Sequence, residues 1–191
     1  ARRQEQALAP RALPGEYQVE LKSGETTVTQ RFRILADPRI SATAEDLRAQ
    51  FEMKVAIRDL IEPIHQAVNQ IRRMRTQINQ WGDRAKSVED GQRLIDAGKA
   101  LQEQLQAIED ALVNPNADKP QPGLYQVNER LSVLSIMIDE SDDPPTQSAR
   151  EVFDHLREIA HTQLARWQQV QESDIPAYAA LIRELGVPAI G

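Results

Sequence analysis

Residues 57–81 read IRDLIEPIHQAVNQIRRMRTQINQW, and the spacing of their apolar side chains decides the fold class. Ile57, Ile64, Ile71 and Ile78 recur every seven residues, and Leu60, Ala67, Met74 and Trp81 each follow three residues later. Apolar residues at alternating intervals of three and four line one face of an α-helix and form a heptad seam. Leu47, Phe51 and Met53 extend that seam upstream. Thr43 suits an N-cap, and Glu45 and Asp46 lie in the first turn, where the helix dipole favours carboxylates. Gly82 beside Asp83 suits the stop. The pattern predicts a helix from about residue 44 to about residue 82, roughly 60 Å long at ~1.5 Å per residue. Pro63 removes one backbone hydrogen bond and crowds the preceding turn, so a kink is expected there.

Reading downstream, Ser87 with Asp90 resembles a capping box that opens a second helix. Its seam is Leu94, Gly98, Leu101, Leu105, Ile108 and Leu112, and Asn114-Pro115 ends it after about 39 Å. Residues 114–123, NPNADKPQPG, have loop composition. A third, shorter helix carries Val127, Leu131, Leu134 and Ile138, and the segment Ser141-Asp142-Asp143-Pro144-Pro145 breaks it. Thr146 can cap a fourth helix with Val152, Leu156, Ile159, Gln163, Trp167 and Val170 on its seam. Asp174 and Pro176 open a last short helix bearing Tyr178, Leu181, Ile182 and Leu185. Gly186 is placed as its C′ residue, with Pro188 preventing continuation. Short turns between long amphipathic helices favour antiparallel neighbours. The second helix is too short to cover the first, so the upstream half of the first should meet the fourth and fifth helices, with the hairpin as a further candidate.

Upstream of the helices the period changes to two. After the turn signal Pro14-Gly15, Tyr17, Val19 and Leu21 alternate with Gln18, Glu20 and Lys22. Ser23-Gly24 breaks the run. Thr26, Val28, Gln30, Phe32 and Ile34 then alternate with Thr27, Thr29, Arg31 and Arg33. This is the signature of two strands joined by a short turn, ended by Asp37-Pro38. A lone hairpin is marginal in water, so its apolar face is expected to lie on the helices or on further strands. The fold class is therefore mainly α: an antiparallel up-down helical bundle preceded by a small β-hairpin. Its parts are an irregular segment at 1–13, the hairpin and linker at 14–42, and the bundle at 43–191.

Composition narrows the function. With 191 residues, 40% of them apolar and 27% charged, the chain can bury a core and is not disordered. It contains no cysteine, which removes disulfides, thiolate metal sites and a cysteine nucleophile. No apolar run reaches the roughly 18 residues of a membrane span. The net charge of −6 argues against nucleic-acid backbones as the main partner. Residues 1–42 carry seven basic and five acidic side chains, whereas the helical remainder carries 16 and 24, so the bundle surface is acidic. The first residue is Ala1, and the expectation is a piece of a longer chain.

Candidate chemistry is sparse. His155 and His161 are six apart on one helix and face different ways, and His65 lies elsewhere; no metal-ligand spacing is present. The basic cluster Arg72, Arg73 and Arg75, with Arg58, could suggest an anionic ligand, but it lies on a helix whose seam is Ile71, Met74 and Ile78, so the arginines are expected largely on a solvated outer face. The carboxylate pairs Glu109-Asp110, Asp139-Glu140 and Asp142-Asp143 sit near helix ends or loops, with no apolar surroundings in sequence that would shift a pKa. Trp81 and Trp167 lie on seams and are expected in the core. No GxSxG, Walker or GxGxxG motif occurs. No catalytic, cofactor-binding or metal-ligating residue is nominated, and no cofactor is expected.

Pro14, Gly15, Tyr17, Val19 and Leu21, then Asp37, Pro38 and Arg39, then Asp46, Leu47, Ala49, Gln50 and Phe51 follow a recurring order. This run, with the ending Leu185-Gly186-Val187-Pro188-Ala189-Ile190, resembles the C-terminal region of bacterial sortilin-like or neuraminidase-repeat β-propeller proteins. Those proteins commonly carry a glycosyl hydrolase label. The resemblance implies a non-catalytic C-terminal accessory module of an exported, extracytoplasmic protein, whose own N-terminal propeller is its partner. It also implies that the hairpin completes or abuts an immunoglobulin-like sandwich. In such proteins the propeller would hold any substrate site, and none of its aspartate-box repeats occurs here. Two alternatives stand beside this reading. The bundle could lend residues to a glycoside hydrolase site in the parent, or the long helix could self-associate as a coiled-coil oligomerisation module.

Overall fold

The computed structural model describes residues 9–113 and 126–189. Residues 1–8 of the N-terminal segment, the loop expected at 114–123 and the terminal Ile190 lie outside the described residues. The fold is mainly helical, with four helices and a terminal extension following a two-stranded hairpin. Strand β1 spans Gly15–Ser23 and β2 spans Thr26–Ile34. They pair antiparallel in unbroken register from Gly15↔Ile34 to Ser23↔Thr26. The two-residue turn is possible because Gly24 takes a φ of 59° at its first position, where a Cβ would be disfavoured.

Helix α1 spans Ala44–Ala85, α2 Gly91–Leu112, α3 Val127–Asp139 and α4 Gln147–Gln169. Thr43 and Asp46 form a reciprocal cap at the start of α1. The Asp46 amide donates to Thr43 Oγ1 at 3.1 Å, and the Thr43 amide donates to Asp46 Oδ2 at 2.9 Å. Hydrogen bonds from Thr43 hold the Asp46 carboxyl below its ordinary pKa. Pro63 does not interrupt α1, which runs unbroken across it.

The chain divides into two compact units. One comprises the chain through Asp59 together with Ser132–Val152; the other comprises Leu60–Leu131 and Phe153 onward. In the first unit, Gln50 and Lys54 of α1 reach the end of α3. The Gln50 amide donates to the carbonyl of Ile138 at 2.8 Å and to that of Ser141. The buried Lys54 ammonium lies 2.7 Å from Asp139 Oδ2. These contacts satisfy carbonyls at a helix C-terminus that would otherwise lack donors. The expectation for the upstream half of α1 named the fourth and fifth helices; at residues 50 and 54 the partner is α3 and the turn after it.

In the second unit α1 and α2 run antiparallel. Asn79 accepts from Gln102, and seven residues back along α1 Arg72 meets Glu109, seven residues further along α2. Ile64, Ile71 and Ile78 are buried, as are Leu94, Leu101, Leu105, Ile108 and Leu112, so these positions of the two predicted seams form the core, while Met74 and Trp81 are half-buried. Gly98 permits close approach on this seam. A Cβ there would lie 3.0 Å from Ile78 and 3.1 Å from the buried Tyr178 hydroxyl. Burial raises the pKa of that hydroxyl.

Three local expectations are corrected. Ser87 and Asp90 do not form a capping box. Instead, Ser87 Oγ donates to the Arg84 carbonyl, and Asp90 precedes α2 in left-handed conformation without a side-chain cap. The cause is a tight turn in which the Val88 amide donates to Ala85 O and the Gly91 amide to Val88 O. On α4, Val152 is exposed, while Phe153, Leu156, Ala160 and Trp167 are buried, so the core face is turned by one residue at its start. Last, Asp174 and Pro176 do not open a separate helix. A π-helical turn, Val170–Asp174, joins α4 directly to α5, Ile175–Glu184. The Ile175 amide reaches back to Val170 O, and this wider turn accommodates the Pro176 ring, which lacks a donor and would crowd an α-helical turn. The stop of α5 is as read from sequence. Gly186 has φ 62°, its amide donates to Arg183 O, and the Val187 amide donates to Ile182 O, a Schellman motif.

Candidate functional site

One inward-facing cluster of charged groups lies between α1 and α2. Glu109 is the main departure from the sequence reading, which placed it near a helix end with no apolar surroundings. It is buried, with Arg72 Nε 2.6 Å from Oε1 and Arg75 Nη1 2.9 Å from Oε2. The four arginines therefore do not share one solvated face. Arg72 and Arg75 turn to Glu109, Arg58 pairs with its neighbour Asp59, and Arg73 remains exposed at the edge of a groove containing Met74 and Trp167. The signal was present in the numbering: Arg72 and Arg75 follow Ile71 by one and four residues and border the seam that α2 covers. A buried carboxylate with two guanidinium partners is electrostatically satisfied.

This arrangement makes an asymmetric prediction. Substituting Arg72→Met together with Arg75→Met strands a buried carboxylate, and is expected to cost about 2–3 kcal/mol in urea unfolding. That value lies at the low end for broken buried pairs because both arginines retain water access. Glu109→Met leaves two cations that can hydrate, and should cost no more than about 1 kcal/mol. Equal losses from the two changes would contradict the assignment.

The remaining candidates do not converge. His65 is exposed and meets Asn128 Oδ1 at 2.8 Å, and His155 and His161 are exposed on α4. Among the described residues, no three His, Asp or Glu side chains gather as a metal ion would require. Asp110 accepts from Gln106 on its own helix. Asp139 belongs with Lys54 and Arg11, and Asp143 accepts from Ser141. Trp167 is buried and donates to Gln70 at 3.2 Å, whereas Trp81 is half-buried beneath the Arg84 guanidinium at 4.8 Å. Gln50 and Lys54 were missed in sequence, although both stand at seam spacing before Ile57.

The distinctive surface is apolar instead. Every large apolar side chain that stands exposed among the described residues belongs to the first unit. On α3, Val133, Ile136 and Met137 form a short outward stripe. On the hairpin the register places Tyr17, Val19 and Leu21 opposite Phe32, Gln30 and Val28 on one face. Tyr17 and Phe32 stack with ring centroids 5.8 Å apart. The expected cover is not found: Leu21 is 67% exposed, Val28 58%, Val19 51% and Phe32 45%. All the charged residues of the two strands, Glu16, Glu20, Lys22, Arg31 and Arg33, lie on the opposite face by alternation.

Compared with family models, curated proteins and solved structures, the chain matches none. The functional reading therefore rests on this surface. No helix among the described residues is long and apolar enough to cross a membrane.

Proposed function

We propose that this chain is a non-catalytic accessory module whose task is structural or protein interaction, exercised through the open apolar face of its hairpin. The observation that carries the reading is the segregation of that face. One side of the two strands has no charged residue, and it meets solvent where an amphipathic sheet ordinarily meets a core. The seams of the bundle are consumed in helix packing, and the one buried carboxylate of α2 is consumed by two arginines. Following the resemblance in residues 13–53, the module would stand at the C-terminal side of an exported β-propeller protein, outside the cytoplasm, with the propeller supplying any hydrolase chemistry.

The test uses the whole chain at low micromolar concentration. An apolar fluorescent dye should bind, and Leu21→Lys with Val28→Lys should reduce that binding several-fold while leaving the helical melting curve in place. Turnover of aryl glycosides should not exceed that of a buffer blank. Dye binding unchanged by the double substitution would refute the docking surface. Glycoside turnover abolished by Glu109→Gln would refute the non-catalytic reading.

A further inference from the structure

We infer that the hairpin's apolar face is self-complementary and packs against the same face of a second copy of this chain. The inference rests on the docking role proposed above and names the occupant. Three properties of the face favour this partner. First, a two-fold copy brings Tyr17, Val19, Leu21, Val28 and Phe32 against the same residues, so a mainly apolar surface, with Gln30 its one amide, meets its own copy across an isologous interface. Second, no charge is buried. Both acids and all three bases of the strands point away from the contact, so two identical copies meet without like-charge repulsion at its centre. Third, the strands pair in one unbroken register, nine residues each. That matches the layer of an aligned sandwich, in which two sheets stack about 10 Å apart.

The area sets the strength. Nine residues at ~3.3 Å give a face about 30 Å long, and two strands give it a width of about 10 Å. Two such faces with their side-chain relief bury on the order of 1,000 Å², just below the ~1,200 Å² at which interfaces become stably occupied. The contact is accordingly a weak, concentration-dependent dimer, with the monomer dominant at low micromolar concentration.

Sedimentation velocity on the full chain tests this. Between about 2 and 200 µM the wild-type chain should shift from monomer towards dimer, and Leu21→Lys should remain monomeric throughout. Glu20→Gln, on the charged face, should dimerise like the wild type. A wild-type chain that stays monomeric at 200 µM overturns the inference. If its dye binding still falls in the Leu21→Lys, Val28→Lys variant, only the second copy is refuted and the docking surface stands. If dye binding is also insensitive, both fail. A dimer that survives Leu21→Lys also overturns the inference, because the contact then lies elsewhere.

Discussion

Replacing Gly91 by alanine is expected to destabilise the chain by about 3 kcal/mol or more, the upper end for forcing atoms into a packed site. A Cβ at this position would stand 1.8 Å from the Ala85 carbonyl oxygen and 2.7 Å from its carbon. Both are backbone atoms at the end of α1, so no rotamer change can move them aside. Relief would require opening the turn through Val88 and Asp90, breaking the amide contacts that close it, and Asp90 already occupies a left-handed conformation. Gly82 is the control. It lies inside α1 with nothing within 4 Å of an added Cβ. Gly82→Ala should therefore stabilise the chain by roughly 0.5–1 kcal/mol, through helix propensity alone. Urea unfolding of both variants measures the difference. A Gly91→Ala variant within 1 kcal/mol of wild type would mean that the turn yields easily and that the close approach does not constrain the α1–α2 pair.

The seams give the second large effect. Ile71→Ala and Leu105→Ala are each expected to cost about 2–5 kcal/mol. Both side chains are fully buried, so truncation removes transfer energy and leaves a cavity whose walls relax only in part. Ile71→Val should cost roughly 0.5–1.5 kcal/mol, which makes the series graded. The same deletion at Val152, read as a seam residue but exposed, should change little. Chemical denaturation of the four variants orders them. Loss at Val152 equal to that at Ile71 would reverse the burial pattern on which the bundle is built.

What was legible from residues 14–34 and 43–187 was local. Period-two alternation with Ser23-Gly24 between the runs identified the hairpin, because strand side chains alternate faces whatever covers them. Spacing of three and four identified the helices, because a helix turns about 100° per residue in any surroundings. Thr43 and Gly186 were readable as caps because capping involves only neighbouring backbone groups. Ser87 shows the limit: its hydroxyl had two local carbonyl or amide choices, and the close turn onto Ala85 selected the one that sequence did not favour.

Everything that depended on a distant partner was settled by tertiary structure. Glu109 is buried because Arg72 and Arg75, more than thirty residues earlier, arrive at both of its oxygens. Gln50 and Lys54 enter the interior because the end of α3 offers carbonyls and a carboxylate there. The hairpin's apolar face was plain in the sequence, but its exposure was not. Alternation specifies which side chains share a face; only the placement of other chain segments determines whether water is removed from it.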